Sequence, residues 1–167
     1  GPNFLKKNLI NKGYNNFIEV KDNETIEFKE FKLTLYKPFT KHIFEESLIG
    51  NLIDSALALE NNCVTAINFN DNQPDENACS FLKNRFKNID LAMLNYNAAG
   101  PYPSCFDNLT TEEKISESQR ILKRNFDHLC NIIPTLQPKS VLPFAGSYII
   151  GGKNYYKNEY LGTTTWD

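Results

Sequence analysis

Histidine is scarce in this chain: there are 2 among 167 residues, His42 and His128. A zinc site draws on three or four ligands, mostly His, Cys or carboxylate, so this supply speaks against an autonomous His-rich centre. The four cysteines, Cys63, Cys79, Cys105 and Cys130, match no zinc-ribbon or Cys-x-x-Cys spacing. They read as free thiols of a reducing cytoplasm. No apolar run approaches the roughly 20 residues of a membrane span. The Lys and Arg residues are scattered, the formal net charge is −2, and no basic stripe marks a nucleic-acid surface. Internal repeats and low-complexity linkers are also missing.

What is present suits a soluble globular protein. Hydrophobic residues make up 41% and charged residues 23%, and the length suffices for one domain with a real core. Aromatic residues are plentiful, with 12 Phe and 8 Tyr. Frequent Asn supplies turn formers. Gly1 and Pro2 read as a protease-cleavage scar, so the expectation is a single domain or half-domain over 3–167 whose natural sequence begins upstream.

Residues 14–37 read as a β-hairpin region. Phe17, Ile18 and Val20 precede a polar turn near Asp22 and Asn23. The alternation of Ile26, Phe28, Phe31, Leu33 and Leu35 breaks near Lys29 and Glu30, which predicts a tight turn between two strands. Two short apolar runs, "IDSALALEN" and "CVTAINFN", form the next hairpin around "ENN". Pro74, in the first turn, opens a helix with Asp75 and Glu76 at its positive end. Ala78, Phe81, Leu82 and Phe86 make its apolar face. "IDLAML" is a strand, so the strand–helix–strand order implies a crossover and parallel pairing. Thr110 and Glu113 form a capping box for a long helix with a stripe of Ile115, Leu122, Phe126, Leu129 and Ile133, stopped by Pro134. "KSVLPFAGSYII" is a further strand interrupted by Pro143, and the tail is irregular or hairpin. Residues 50–150 therefore read as a β-α-β-α-β core of an α/β (α+β) fold, a mixed sheet with helices.

Ligands of open α/β sheets gather beyond the carboxyl ends of strands. Three such ends carry suggestive residues: Asp71 after "AINFN", Asn95 to Tyr102 in "NYNAAGPY", and Ala145 to Ser147. Small residues and prolines let the backbone bend close to a ligand, and Tyr96 and Tyr102 wall the site. Plainer readings stand beside these. Asp71 can be a turn or helix cap, His42 a surface residue, His128 structural, Cys105 a buried inert thiol rather than a nucleophile, and the tyrosines packing.

The segments "DSALALENNCVTAINFND", "IDLAMLNYNAAGPYPSCF" and "PKSVLPFAGSYII" together resemble the C-terminal half of a metallo-β-lactamase-fold protein. They are most similar to the group holding UlaG-type lactonases and the CMP-sialic-acid hydroxylase. The resemblance implies half of a four-layer αββα sandwich with helices on one face of the sheet. It implies a metal-dependent hydrolase, with zinc or another divalent metal at an edge between the halves. By that resemblance Asp71 and His42 are metal ligands, while Asn95, Tyr96, Tyr102, Ser104 and Ser147 bind a small-molecule substrate. No catalytic residue is assigned. The family's His-x-His-x-Asp-His loop belongs to its N-terminal half, and neither His here sits in such a pattern. Completion by a missing upstream half or a homodimer partner is one expectation. The alternative is a non-catalytic binding or assembly domain on a degenerate hydrolase scaffold.

Overall fold

A computed structural model describes residues 3–39, 54–97, 100–144 and 148–163. The described elements are α1 (Asn3–Asn11), β1 (Thr25–Phe28), β2 (Phe31–Tyr36), β3 (Ala56–Glu60), β4 (Thr65–Asn68), α2 (Glu76–Arg85), β5 (Ile89–Asn95), α3 (Thr111–Leu136), β6 (Pro138–Phe144) and a 3₁₀ helix (Gly152–Tyr160). The strands form a six-stranded mixed sheet in sequence order. β1 to β4 pair antiparallel, and β4, β5 and β6 run parallel. The expected mixed α/β sheet is thus present, with helices packed against it.

Period-two alternation gives the sheet two different faces. Tyr36, Ala56, Ala58, Ile67, Ala92 and Leu94 share one face and are essentially inaccessible. They form one cluster with Cys79 and Leu82 of α2 and with Leu129, Ile132 and Leu136 of α3. Small residues in β3 and β5 leave room for the helix side chains to seat closely. The opposite face carries Leu33, Leu35, Leu57, Leu59, Leu91 and Met93, all only part-buried. Leu142 on that face is 41% exposed.

Several expectations need correction. Residues 14–21 carry no strand, and a helix, α1, precedes them. Among the described residues Phe17, Ile18 and Val20 have no partner strand, β1 pairing with β2, and an unpaired strand is not stable alone. Asp75 is the N-cap of α2, its carboxylate accepting from the Ala78 amide at 2.7 Å. Pro74 therefore lies before the helix, and Phe81 is 45% exposed. The Thr110 capping box is present, but α3 is rotated from the expected stripe. It buries Ser118, Ile121, Asn125, Leu129, Ile132 and Leu136, while Phe126 is 63% exposed. Leu129, Ile132 and Leu136 enter the core cluster, and the tail covers the start of the same face, where a Cβ on Gly162 would meet the Ser118 carbonyl oxygen at 2.9 Å and Ile121 Cβ at 3.1 Å. The tail backbone approaches α3 closely, and a small Ser with its Oγ donating to the Ile115 carbonyl allows it.

Pro134 does not end α3, which runs to Leu136 and closes with Gln137 in the left-handed region at φ 52°. A proline this near the end costs only the acceptor role of one upstream carbonyl. β6 likewise continues through Pro143, because among the described strands β6 lies at the edge of the sheet, where a missing N–H is tolerated. The tail folds as a 3₁₀ helix rather than a hairpin.

Among the described residues, the Tyr36 hydroxyl, Asn125 Nδ2 and His128 Nε2 are buried without a hydrogen bond. Tyr36 is 1% exposed and its hydroxyl has no hydrogen bond among the described residues. Burial pushes its pKa up to about 12. Tyr36→Phe is therefore expected to raise stability by about 1 kcal/mol, read as a higher urea midpoint at unchanged slope.

Candidate functional site at the strand ends

Because β4, β5 and β6 are parallel, their carboxyl ends lie side by side. The Phe69 amide extends the β4–β5 ladder by donating to the Met93 carbonyl at 3.0 Å. The chain then turns sharply. The Asn68 side chain accepts from the Asn70 amide at 2.9 Å, and Asn70 takes φ 51°, a conformation that Asn tolerates better than most residues. This turn delivers the exposed Asp71 beside the end of β5. Asn95 Nδ2 donates to Asp71 Oδ1 at 2.7 Å, and Asn95 Oδ1 accepts from the Asn97 amide at 3.0 Å. Two sequence-predicted residues, Asp71 and Asn95, are thereby held together.

Asn72 locks the turn from below. It is 2% exposed. Its Oδ1 accepts from the Phe39 amide at 2.7 Å, and its Nδ2 donates to the Lys37 carbonyl at 3.0 Å. The Asp71 turn is therefore tied to the chain leaving β2. Asp71 is not a helix cap; that role belongs to Asp75.

The loop after β5 is anchored at several points. Tyr102 donates its hydroxyl to Glu117 Oε2 of α3 at 2.7 Å, and its ring meets Phe106 edge-on at 5.0 Å. Arg120 grips both oxygens of Glu117, with Nη2 to Oε2 at 2.6 Å. Tyr148 donates to the Gly100 carbonyl at 2.7 Å, and Lys157 pairs with Asp107 at 3.3 Å. Ser104 is fully buried and donates to the Pro101 carbonyl at 3.3 Å. Tyr96 is part-buried and packs against the core cluster. His42 and Ser147 lie outside the described residues. Sequence reasoning missed Asn72 and the Glu117–Arg120 pair. The latter had a signal, acid and base three residues apart on a helix.

The Arg120 hydrogen bond, aided by that of Tyr102, lowers the Glu117 carboxyl to about 2. Its folded pKa is depressed, so its contribution is fully present above the ordinary carboxylate range and disappears as pH falls toward 2. A carbon-detected NMR titration should show Glu117 protonating near that pH. In Arg120→Met the midpoint should move back toward 4.5, the usual value. An unchanged midpoint would show that Arg120 is not the cause.

Cysteine chemistry is redistributed relative to expectation. Cys105 is exposed, as are Cys63 and Cys130, whereas Cys79 is buried. Burial first, then Asp75 and Glu76, pushes the Cys79 thiol up to about 12, which makes it unreactive. Burial, with Arg124 nearby, lowers the pKa of His128. Among the described residues no three His, Cys, Asp or Glu side chains gather so as to hold an ion. Asp71 is a single carboxylate donor where three or four ligands are needed. The described donor set does not by itself fit a metal. No described helix is long and apolar enough to cross a membrane.

No family model and no curated protein matches the chain. Solved structures do. The diiron β-hydroxylase CmlA from Streptomyces venezuelae aligns with a TM-score of 0.54 at 14% identity, over 94% of this chain and 29% of that one. A variant of CmlA β-hydroxylase gives 0.54 and 14% over 80% of this chain and 26% of that one. The metallo-β-lactamase fold protein YhfI from Bacillus subtilis aligns at 0.41 and 12% identity, over 86% and 49%. This chain thus spans less than a third of CmlA. At such identity the likeness to CmlA concerns the fold alone.

Proposed function

We propose that this chain is the carboxyl-terminal half of a metallo-β-lactamase-like hydrolase unit, completed by residues outside those described. The observation that carries the reading is the Asp71–Asn95 pair, 2.7 Å apart at the ends of two parallel strands. Asp71 contributes one carboxylate to a zinc or other divalent centre, and the Asn95 amide fixes its rotamer. The remaining ligands, His42 among the candidates, come from an upstream half or a second copy. Asn95, Tyr96, Tyr102 and Ser147 line the pocket of a small-molecule substrate, and the fully buried Ser104 braces that loop from behind rather than touching the substrate. The part-buried leucine face supports a layered partner, since a sheet face of this composition normally receives a second layer. That face equally favours a second reading, a non-catalytic assembly domain on the same scaffold.

Elemental mass spectrometry separates the two. The chain is incubated with zinc, manganese or iron and freed of excess metal. The hydrolase reading expects measurable retention, though below about one equivalent because the described ligand set is incomplete, and its loss in Asp71→Ala. Equal retention by Asp71→Ala would remove Asp71 from the centre. No retention in either form would favour the assembly reading.

A further inference from the structure

The amino-terminal ends of the parallel strands, at the opposite edge from Asp71, border a cleft of about 250 Å³. Three cationic side chains line it, Arg85, Lys87 and Lys139, against two carboxylates, Glu60 and Asp90. Asp90 is already committed. Its Oδ1 accepts from Lys139 Nζ at 2.6 Å and its Oδ2 from the Thr65 amide at 2.8 Å. Arg85 and Lys87 then face Glu60 alone, which leaves the cleft a cationic excess.

Arg85 is held in place rather than free to sweep the surface. Its Nη2 donates to Thr25 Oγ1 at 2.9 Å, and that oxygen lies 2.7 Å from Oγ1 of the fully buried Thr34. The guanidinium also lies 5.9 Å from the Tyr36 ring centre and 5.5 Å from that of Phe86. A guanidinium carries five N–H donors, and the described residues engage one of them. A fixed guanidinium with unspent donors matches the paired oxygens of a carboxylate or phosphate, and prior fixation lowers the entropy cost of gripping them. Asn61 adds a polar wall. Its Oδ1 accepts from the Cys63 and Val64 amides at 2.9 and 2.8 Å, so its Nδ2 remains as a donor.

We propose that this cleft binds a small oxyanion, a phosphate or carboxylate group, with Arg85 as the fork and Lys87 as the second cation. The site is independent of the strand-end reading, because it uses none of the same residues.

The test is a ¹H–¹⁵N NMR titration of the chain with inorganic phosphate and, separately, with acetate, at ionic strength held constant with sodium chloride. Saturable shifts are expected at amides 60–65, 85–90 and 139, with a Kd on the order of millimolar. Response to phosphate alone or to acetate alone identifies the oxyanion. Arg85→Lys keeps the charge and loses the fork, and it should weaken binding about tenfold, as should Lys87→Gln by a smaller factor. Saturation by neither anion, shifts of equal size with chloride, or unchanged affinity in both variants would overturn the proposal. Since Lys87 is exposed and outside any described element, its variant keeps the test valid should Arg85→Lys perturb the fold.

Discussion

Replacing Asn72 with alanine is expected to destabilise the protein by about 3 kcal/mol and to loosen the strand-end site at the same time. The side chain is buried and makes two hydrogen bonds to main-chain groups, the Phe39 amide and the Lys37 carbonyl. Alanine leaves both orphaned, and each buried orphan costs about 1–3 kcal/mol. Asn72→Asp should be no milder, since it keeps the acceptor but faces the Lys37 carbonyl with a second acceptor and a buried charge. The neighbouring Asp71 turn loses its tie to the end of β2. Urea denaturation gives the stability loss, and amide exchange at 69–72 should accelerate beyond what global unfolding explains. A loss under about 1 kcal/mol would mean that water replaces the Asn72 side chain without penalty.

Leu82→Ala should cost a similar amount, about 3 kcal/mol, for a different reason. Leu82 is completely inaccessible and sits where α2 meets the sheet. Truncation removes transfer energy and leaves a cavity that close-packed neighbours cannot fill. The adjacent Phe81 supplies the control. It is larger but 45% exposed, so Phe81→Ala should cost less than Leu82→Ala, though its edge contact with Tyr36 at 6.0 Å makes the cost nonzero. Thermal and urea midpoints of the two variants decide this. If the Phe81 variant proved the less stable, the assignment of the buried face of α2 would be wrong.

The elements legible in the sequence were those with strong local signals. The Lys29–Glu30 turn, the Asn-rich hairpin between β3 and β4, and the strand–helix–strand crossover all follow from period and turn chemistry, and the parallel ends of β4 and β5 follow from the crossover. The Thr110 capping box fixed the start of α3 to the residue. The buried face of α3 was not legible, because the tail backbone around Gly162, distant in sequence, docks on Ser118 and Ile121 and covers that side of the helix. The end of α3 was misplaced for a related reason: Pro134 sits so near the terminus that the helix loses almost nothing by including it. At the strand ends, the composition around Asp71 and Asn95 pointed to a corner where the fold does bring these two side chains together. Asn72 was invisible because its partners, at Lys37 and Phe39, lie more than 30 residues away. Glu117 was likewise silent as a site neighbour, since only the folded loop brings Tyr102 to α3.

The central proposal is that Asp71, held by Asn95, supplies one ligand to a metal whose other ligands come from outside the described residues. It is tested most directly by titrating the chain with manganese and following paramagnetic broadening of amide signals. The account predicts selective broadening at amides 69–72 and 95–97, abolished in Asp71→Asn. Broadening centred elsewhere, or unchanged in that variant, would contradict it.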